Sequence, residues 1–85
     1  MYFVYVIRSE IVGYFYIGFT EEPAARLKAH NKGNDISTRA GRPWEIIYLE
    51  GYLHKSDALH REKFLKSGSG YRYLRKQLHN YLDGL

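Results

Sequence analysis

Residues Val4 to Gly18 read VYVIRSEIVGYFYIG. Two apolar, tyrosine-bearing runs flank a short polar break, and the second ends in Tyr-Ile-Gly. Aromatic and β-branched residues favour strands, so Tyr2–Ile7 and Tyr14–Phe19 read as two strands joined across Arg8–Gly13 into an antiparallel hairpin. A phenol stands in the middle of each strand, Tyr5 and Tyr16. A register that puts both on one face brings them within reach of each other. Two adjacent hydroxyls can orient water and hydrogen-bond a phosphate, which apolar aromatics cannot do. The sequence leaves that register open.

Outward from the hairpin, Thr20 offers a helix N-cap, Glu21 and Glu22 put negative charge in a first turn, and Pro23 suits that turn. The spacing predicts a helix through about Asn31, ended by Gly33. Asn34–Pro43 (NDISTRAGRP) carries turn formers without periodicity and reads as a loop. Trp44–Tyr52 is a third strand. Ser56 is an N-cap candidate, with Asp57 behind it, for a helix to about Lys66. Ser67–Gly70 (SGSG) breaks the chain before a last helix from about Tyr71, whose Tyr71, Leu74, Leu78 and Tyr81 form one stripe at helical spacing. The order ββαβαα predicts an α+β fold, a three-stranded antiparallel sheet flanked by helices, in a single domain over residues 1–85.

Composition narrows the function. The chain has 85 residues, 45% of them hydrophobic, which fits a folded domain with a core. It has no cysteine, which excludes disulfides and Cys-based zinc or iron–sulfur sites. The N-terminus has no basic segment before its apolar run, and no run approaches the ~18–20 residues that span a bilayer, so the reading is a soluble, cytoplasmic protein. Thirteen Lys/Arg against nine Asp/Glu give a net charge of +4. That balance favours a polyanionic partner, since each cation near a phosphate releases counterions. A merely basic, solvated surface is the plainer alternative.

Glu62 falls inside the apolar side that Ala58, Leu59 and Leu65 mark on the second helix. A carboxylate there needs a partner, a metal or a cleft edge. A salt bridge to a nearby Lys or Arg is the plainer reading. Arg26 and His30 share one face of the first helix, with Ala24 and Leu27 as core candidates beside them. A guanidinium and an imidazole so placed could grip a phosphate and exchange a proton, or stand solvated on the surface. Tyr71 and Tyr81 read as core aromatics, and His54, His60 and His79 as surface residues without metal-ligand spacing. Lys28, Lys32, Arg39, Arg42, Arg72, Arg75 and Lys76 look like phosphate-contact residues that position a strand without reading its bases.

With these residues in view, the chain resembles the GIY-YIG nuclease family. More narrowly, it is similar to small single-domain bacterial members related to the nuclease domain of the excinuclease C subunit, a DNA-repair enzyme. Phe3-Val4-Tyr5 stands where the first motif is usually Gly-Ile-Tyr, and Tyr16-Ile17-Gly18 is the second motif intact. Arg26, within RLKAHNKG, matches the helix arginine, and His30 the histidine or tyrosine that often follows a turn later. Glu62, in ALHREKFLK, matches the metal-binding glutamate. The resemblance covers nearly the whole chain. It implies hydrolysis of phosphodiesters in nucleic acid, DNA favoured over RNA, by a monomer using one divalent cation, Mg²⁺ or Mn²⁺, at Glu62. Tyr5, Tyr16, Arg26, His30 and Glu62 would be the catalytic set. Larger family nucleases carry an asparagine after the glutamate. Here YRYLRKQLHN puts Leu74 and Gln77 at plausible offsets and Asn80 further on. That departure leaves a second reading, a nucleic-acid-binding module of the same fold with weak or no turnover. A protein–protein adaptor would need a sizeable exposed apolar patch, of which the sequence shows no clear one.

Overall fold

A computed structural model describes residues 1–85. Strands β1 (Tyr2–Ser9), β2 (Phe15–Thr20) and β3 (Trp44–Tyr52) form one antiparallel sheet in the order β2-β1-β3. Helices α1 (Pro23–Lys32), α2 (Lys55–Leu65), α3 (Gly68–Gln77) and the short α4 (His79–Asp83) complete it, with a 3₁₀ turn at Arg39–Gly41. The expected α+β class, three-stranded antiparallel sheet and order of elements along the chain hold.

β1 is the central strand, which explains its unbroken apolar run: it is covered on both faces. Val4 and Val6 point to one face and join Ile17, Ala58, Leu65 and Leu74 in the larger core. Tyr5 and Ile7 point to the other and pack with Trp44, against Leu27, Ile46 and Tyr16. Thus α2 and α3 cover one side of the sheet and α1 the other.

Local boundaries differ from expectation where tertiary contacts decide them. β1 continues to Ser9, whose buried hydroxyl donates to the Gly41 carbonyl at 2.7 Å. The N-cap of α1 is Glu22; Thr20 instead accepts from the Glu22 amide, 3.0 Å away. The N-cap of α2 is His54, whose ring nitrogen accepts from Ser56 N, so Ser56 is inside the helix. SGSG is no break. Ser67 caps α3 and the glycines form its first turn. The last expected helix divides at Leu78 into α3 and α4. Gly33 ends α1 as expected, at φ +79°, a left-handed conformation suited to glycine.

Four core assignments also change. Ala24 is exposed, while Leu27 packs on the sheet. Leu59 and Tyr71 are each 39% exposed, Tyr71 lying against Phe15 with ring centroids 5.6 Å apart. Tyr81 is half-buried and donates its hydroxyl proton to Glu45.

Candidate active site

The β1–β2 register pairs Ile7 with Tyr16 and Tyr5 with Gly18, so both phenols face α1. Their rings lie 6.4 Å apart. Gly18 is the residue under the Tyr5 ring; a Cβ built there would stand 2.4 Å from the Tyr5 hydroxyl. The closing glycine of Tyr-Ile-Gly is therefore the floor on which the first tyrosine lies.

From α1, His30 projects between the two rings, 5.8 Å from Tyr5 and 5.1 Å from Tyr16 by centroid. It is fully buried, which removes the reading of a solvated surface residue. Its Nε2 lies 2.7 Å from the Tyr5 hydroxyl and its Nδ1 2.7 Å from the Thr38 hydroxyl. One turn earlier, Arg26 donates from Nη2 to Asp35 Oδ2 at 3.0 Å. Burial pushes the Tyr5 phenol up to about 12, although the neighbouring Arg26 guanidinium pulls the other way. Burial and the same guanidinium hold His30 below its ordinary value, with Asp35 opposing. At neutral pH the site thus contains an un-ionised phenol, a neutral imidazole and a charged guanidinium.

The loop that completes this cluster carries residues the sequence did not single out. Asp35 binds Arg26 and accepts from the Ser37 amide (2.9 Å) and hydroxyl (2.7 Å), and these Ser37 contacts, ahead of Arg26, hold its carboxyl low. Asn31 ties α1 to the start of β3, its amide exchanging hydrogen bonds with the Trp44 backbone at 3.0 and 2.7 Å. The Trp44 indole donates to the Thr38 carbonyl at 2.8 Å. Asp35 and Ser37 stand two residues apart, the spacing of an Asx turn, which is the sequence signal for this contact.

No hydrogen bond or ion pair joins Glu62 to this cluster. It sits on α2, which packs on the opposite face, and its carboxylate pairs with Lys66 at 3.2 Å. The plainer reading of its partner is therefore what the structure contains. Its side chain keeps 19% exposure, so an open edge remains. No three His, Cys, Asp or Glu side chains come together, so the donor set fits no all-protein metal cage. One carboxylate tied only to a half-exposed lysine does fit a hard cation whose other ligands are waters and a substrate phosphate.

All seven candidate phosphate-contact residues are exposed. Lys28, Lys32, Arg39 and Arg42 lie on or just after α1, on the side of the tyrosine cluster. Arg39 also donates to Gly33 O (2.9 Å) and Arg42 to Arg39 O (2.8 Å), covering the end of α1. Arg72, Arg75 and Lys76 lie on α3, across the sheet; Arg75 stacks on Tyr71 at 5.8 Å. Leu74 is core, and Gln77 and Asn80 are exposed.

Two tyrosines over a strand glycine, with an arginine and a histidine one turn apart on the next helix, agree with a comparison against known families. The model of the GIY-YIG catalytic domain matches residues 1–74. The chain belongs to the GIY-YIG family. UPF0213 proteins of Staphylococcus aureus strains Mu3, Mu50 and COL are each 35% identical over 75 residues, spanning 87% of this chain and 90% of theirs. No solved structure matches it. In this GIY-YIG domain no helix is long and apolar enough to cross a membrane.

Proposed function

We propose that this GIY-YIG domain is a nuclease that hydrolyses phosphodiester bonds of nucleic acid, DNA in preference to RNA, on the α1 face of the sheet. The observation that carries the reading is the buried Tyr5–His30 hydrogen bond beside Arg26, in a domain of a nuclease family. Tyr5 holds the attacking water, with His30 and Tyr16 fixing the phenol. Arg26, kept charged and oriented by Asp35, neutralises charge building on the phosphoryl oxygens. Lys28, Lys32, Arg39 and Arg42 hold the flanking backbone by its phosphates.

Glu62 would hold the divalent cation, Mg²⁺ or Mn²⁺, giving up Lys66 to do so. Because α2 and the tyrosine cluster lie on opposite faces of the sheet, the substrate backbone would cross a sheet edge to meet both, and a cation held at Glu62 would there supply Lewis-acid stabilisation to the phosphoryl group and the departing oxygen. The test is incubation of the protein with branched, nicked and single-stranded DNA and with RNA, in Mg²⁺ or Mn²⁺. Wild type is expected to cleave at least one, and Glu62→Ala to lose roughly 100-fold or more, as several kcal/mol of charge stabilisation disappear. Wild-type cleavage no higher than that of Glu62→Ala across the panel rejects the assignment.

A binding module with weak or no turnover is the second reading. It is favoured by Leu74 lying in the core with Gln77 and Asn80 exposed, so that no amide from this region joins the tyrosine cluster. Salt-sensitive binding with no product, unchanged in Glu62→Ala, would support it.

A further inference from the structure

Thr38 makes contacts that the nuclease reading does not use. It is 1% exposed, lies in the loop after α1, and its hydroxyl stands 2.7 Å from His30 Nδ1 and 3.4 Å from the Asp35 carbonyl. A hydroxyl has one proton to give. Directed at the Asp35 carbonyl, it leaves Oγ1 to accept from His30 Nδ1–H. The far end of the ring makes the same demand. The Tyr5 oxygen stands next to the Arg26 guanidinium, which offers only donors, so His30 Nε2 is the acceptor at hand for the Tyr5 proton. Both ends are satisfied together by the tautomer with Nδ1 protonated and Nε2 bearing its lone pair.

We propose that Thr38, backed by Asp35, is a positioning residue that fixes His30 as the Nδ1–H tautomer, so that His30 takes the Tyr5 proton while Tyr5 takes one from the attacking water. This rests on the nuclease reading for its chemistry, though not for the tautomer. In the step, the water oxygen bonds to phosphorus and its proton passes to Tyr5 Oη. The phenol's own proton passes to His30 Nε2, giving an imidazolium. The bond from phosphorus to the departing oxygen breaks with its electron pair on that oxygen, which is protonated by solvent. His30 then returns its proton through Tyr5 to water. The relay answers a difficulty: a phenol raised to about 12 is a poor base by itself, whereas one that surrenders its proton as it accepts another needs no prior ionisation. The groups facing His30 are Tyr5 from β1, Tyr16 from β2, Arg26 on α1 and Asp35 from the loop; β3 presents only Trp44 and Ile46 to this core. Asp35 serves both arms, its carboxylate on Arg26 and its carbonyl on Thr38.

The test is imidazole ¹H–¹⁵N spectroscopy of the full chain with labelled histidine at neutral pH, His30 being assigned by its loss in His30→Gln. Wild type and Thr38→Ser are expected to show a protonated Nδ1 and a bare Nε2, and Thr38→Val a mixture or the other tautomer. Single-turnover cleavage of the best DNA substrate is read alongside. Thr38→Val should lower kcat roughly 100-fold with KM little changed, and Thr38→Ser should restore most of it. Wild-type His30 with Nε2 protonated overturns the proposal, and this reading stands even if Thr38→Val fails to fold. A folded Thr38→Val that keeps tautomer and turnover overturns it as well. The expected tautomers in a protein that cleaves nothing support the positioning role of Thr38 and reject the nuclease reading instead.

Discussion

Gly18 lies opposite Tyr5 in the register, and a methyl group there would press on the hydroxyl and its ring carbon at 2.4 and 2.5 Å. The Tyr5 ring is buried and held by His30, so it can yield only by giving up that hydrogen bond. Gly18→Ala is therefore expected to fold with a loss of about 1–3 kcal/mol. Its cleavage should fall as far as that of Tyr5→Phe; cleavage at the wild-type rate would contradict this packing account. At this scale the sequence was informative for tyrosine, arginine and histidine because their chemistry is rare and their spacing regular. Asp35 and Thr38 were hidden. In a loop of turn formers every polar residue looks alike until the chain folds back over α1 and selects two of them.

SGSG between α2 and α3 shows how one motif contains two kinds of glycine. At Gly70 an added Cβ would lie 1.9 Å from the Phe64 carbonyl oxygen and 2.5 Å from Leu65 Cα. These are backbone atoms and cannot swing aside. At Gly68 the nearest atom is the end of Arg72, at 3.5 Å. Gly70→Ala should cost about 3 kcal/mol or more, because it forces the helices apart. Gly68→Ala should be neutral or stabilise by up to about 1 kcal/mol through the unfolded chain. Urea unfolding of both variants checks the pair, and equal effects would refute the close-approach explanation. Read alone, the four residues suggested a break. Ser67 in fact joins α2 to α3, its hydroxyl accepting from Gly70 N at 3.1 Å while donating to Phe64 O at 2.6 Å.

Across the whole molecule, the face opposite the tyrosine cluster is anchored by charge. Glu50 on β3 accepts from Tyr52 at 2.7 Å and from Arg61 Nε and Nη2 at 2.9 and 3.1 Å, as well as from Tyr48. Arg61 in turn stacks on Tyr73 and Phe64 at 4.7 and 5.4 Å. Burial pushes the Glu50 carboxyl up, but Arg61 and the two phenols outweigh it and hold it below the ordinary 4.5. A depressed carboxyl contributes stability that is complete above its unfolded value and is lost as pH falls through the folded one. His30 acts higher on the scale. Its folded value lies below 6.5, so on acidification the unfolded chain takes up that proton first and stability falls from there downward. Melting temperature should thus decline in two stages, below about pH 6.5 and again below about pH 4.5, with His30→Gln removing the first and Glu50→Gln much of the second. A melting temperature unchanged between pH 7 and pH 5 would contradict the buried, neutral His30.

The sequence by itself determined the element order, the apolar first strand and the positions of the two phenols, the arginine and the histidine. These are written in short-range periodicity and residue chemistry, which the unfolded chain already contains. Tertiary structure alone decided that both phenols share a face, that a strand glycine makes room for one of them, and that a loop threonine and aspartate take up the ends of His30 and Arg26. It also placed α2, and Glu62 with it, on the other side of the sheet from the tyrosines. Each of these depends on register and on contacts between residues distant in the chain, which no local pattern encodes.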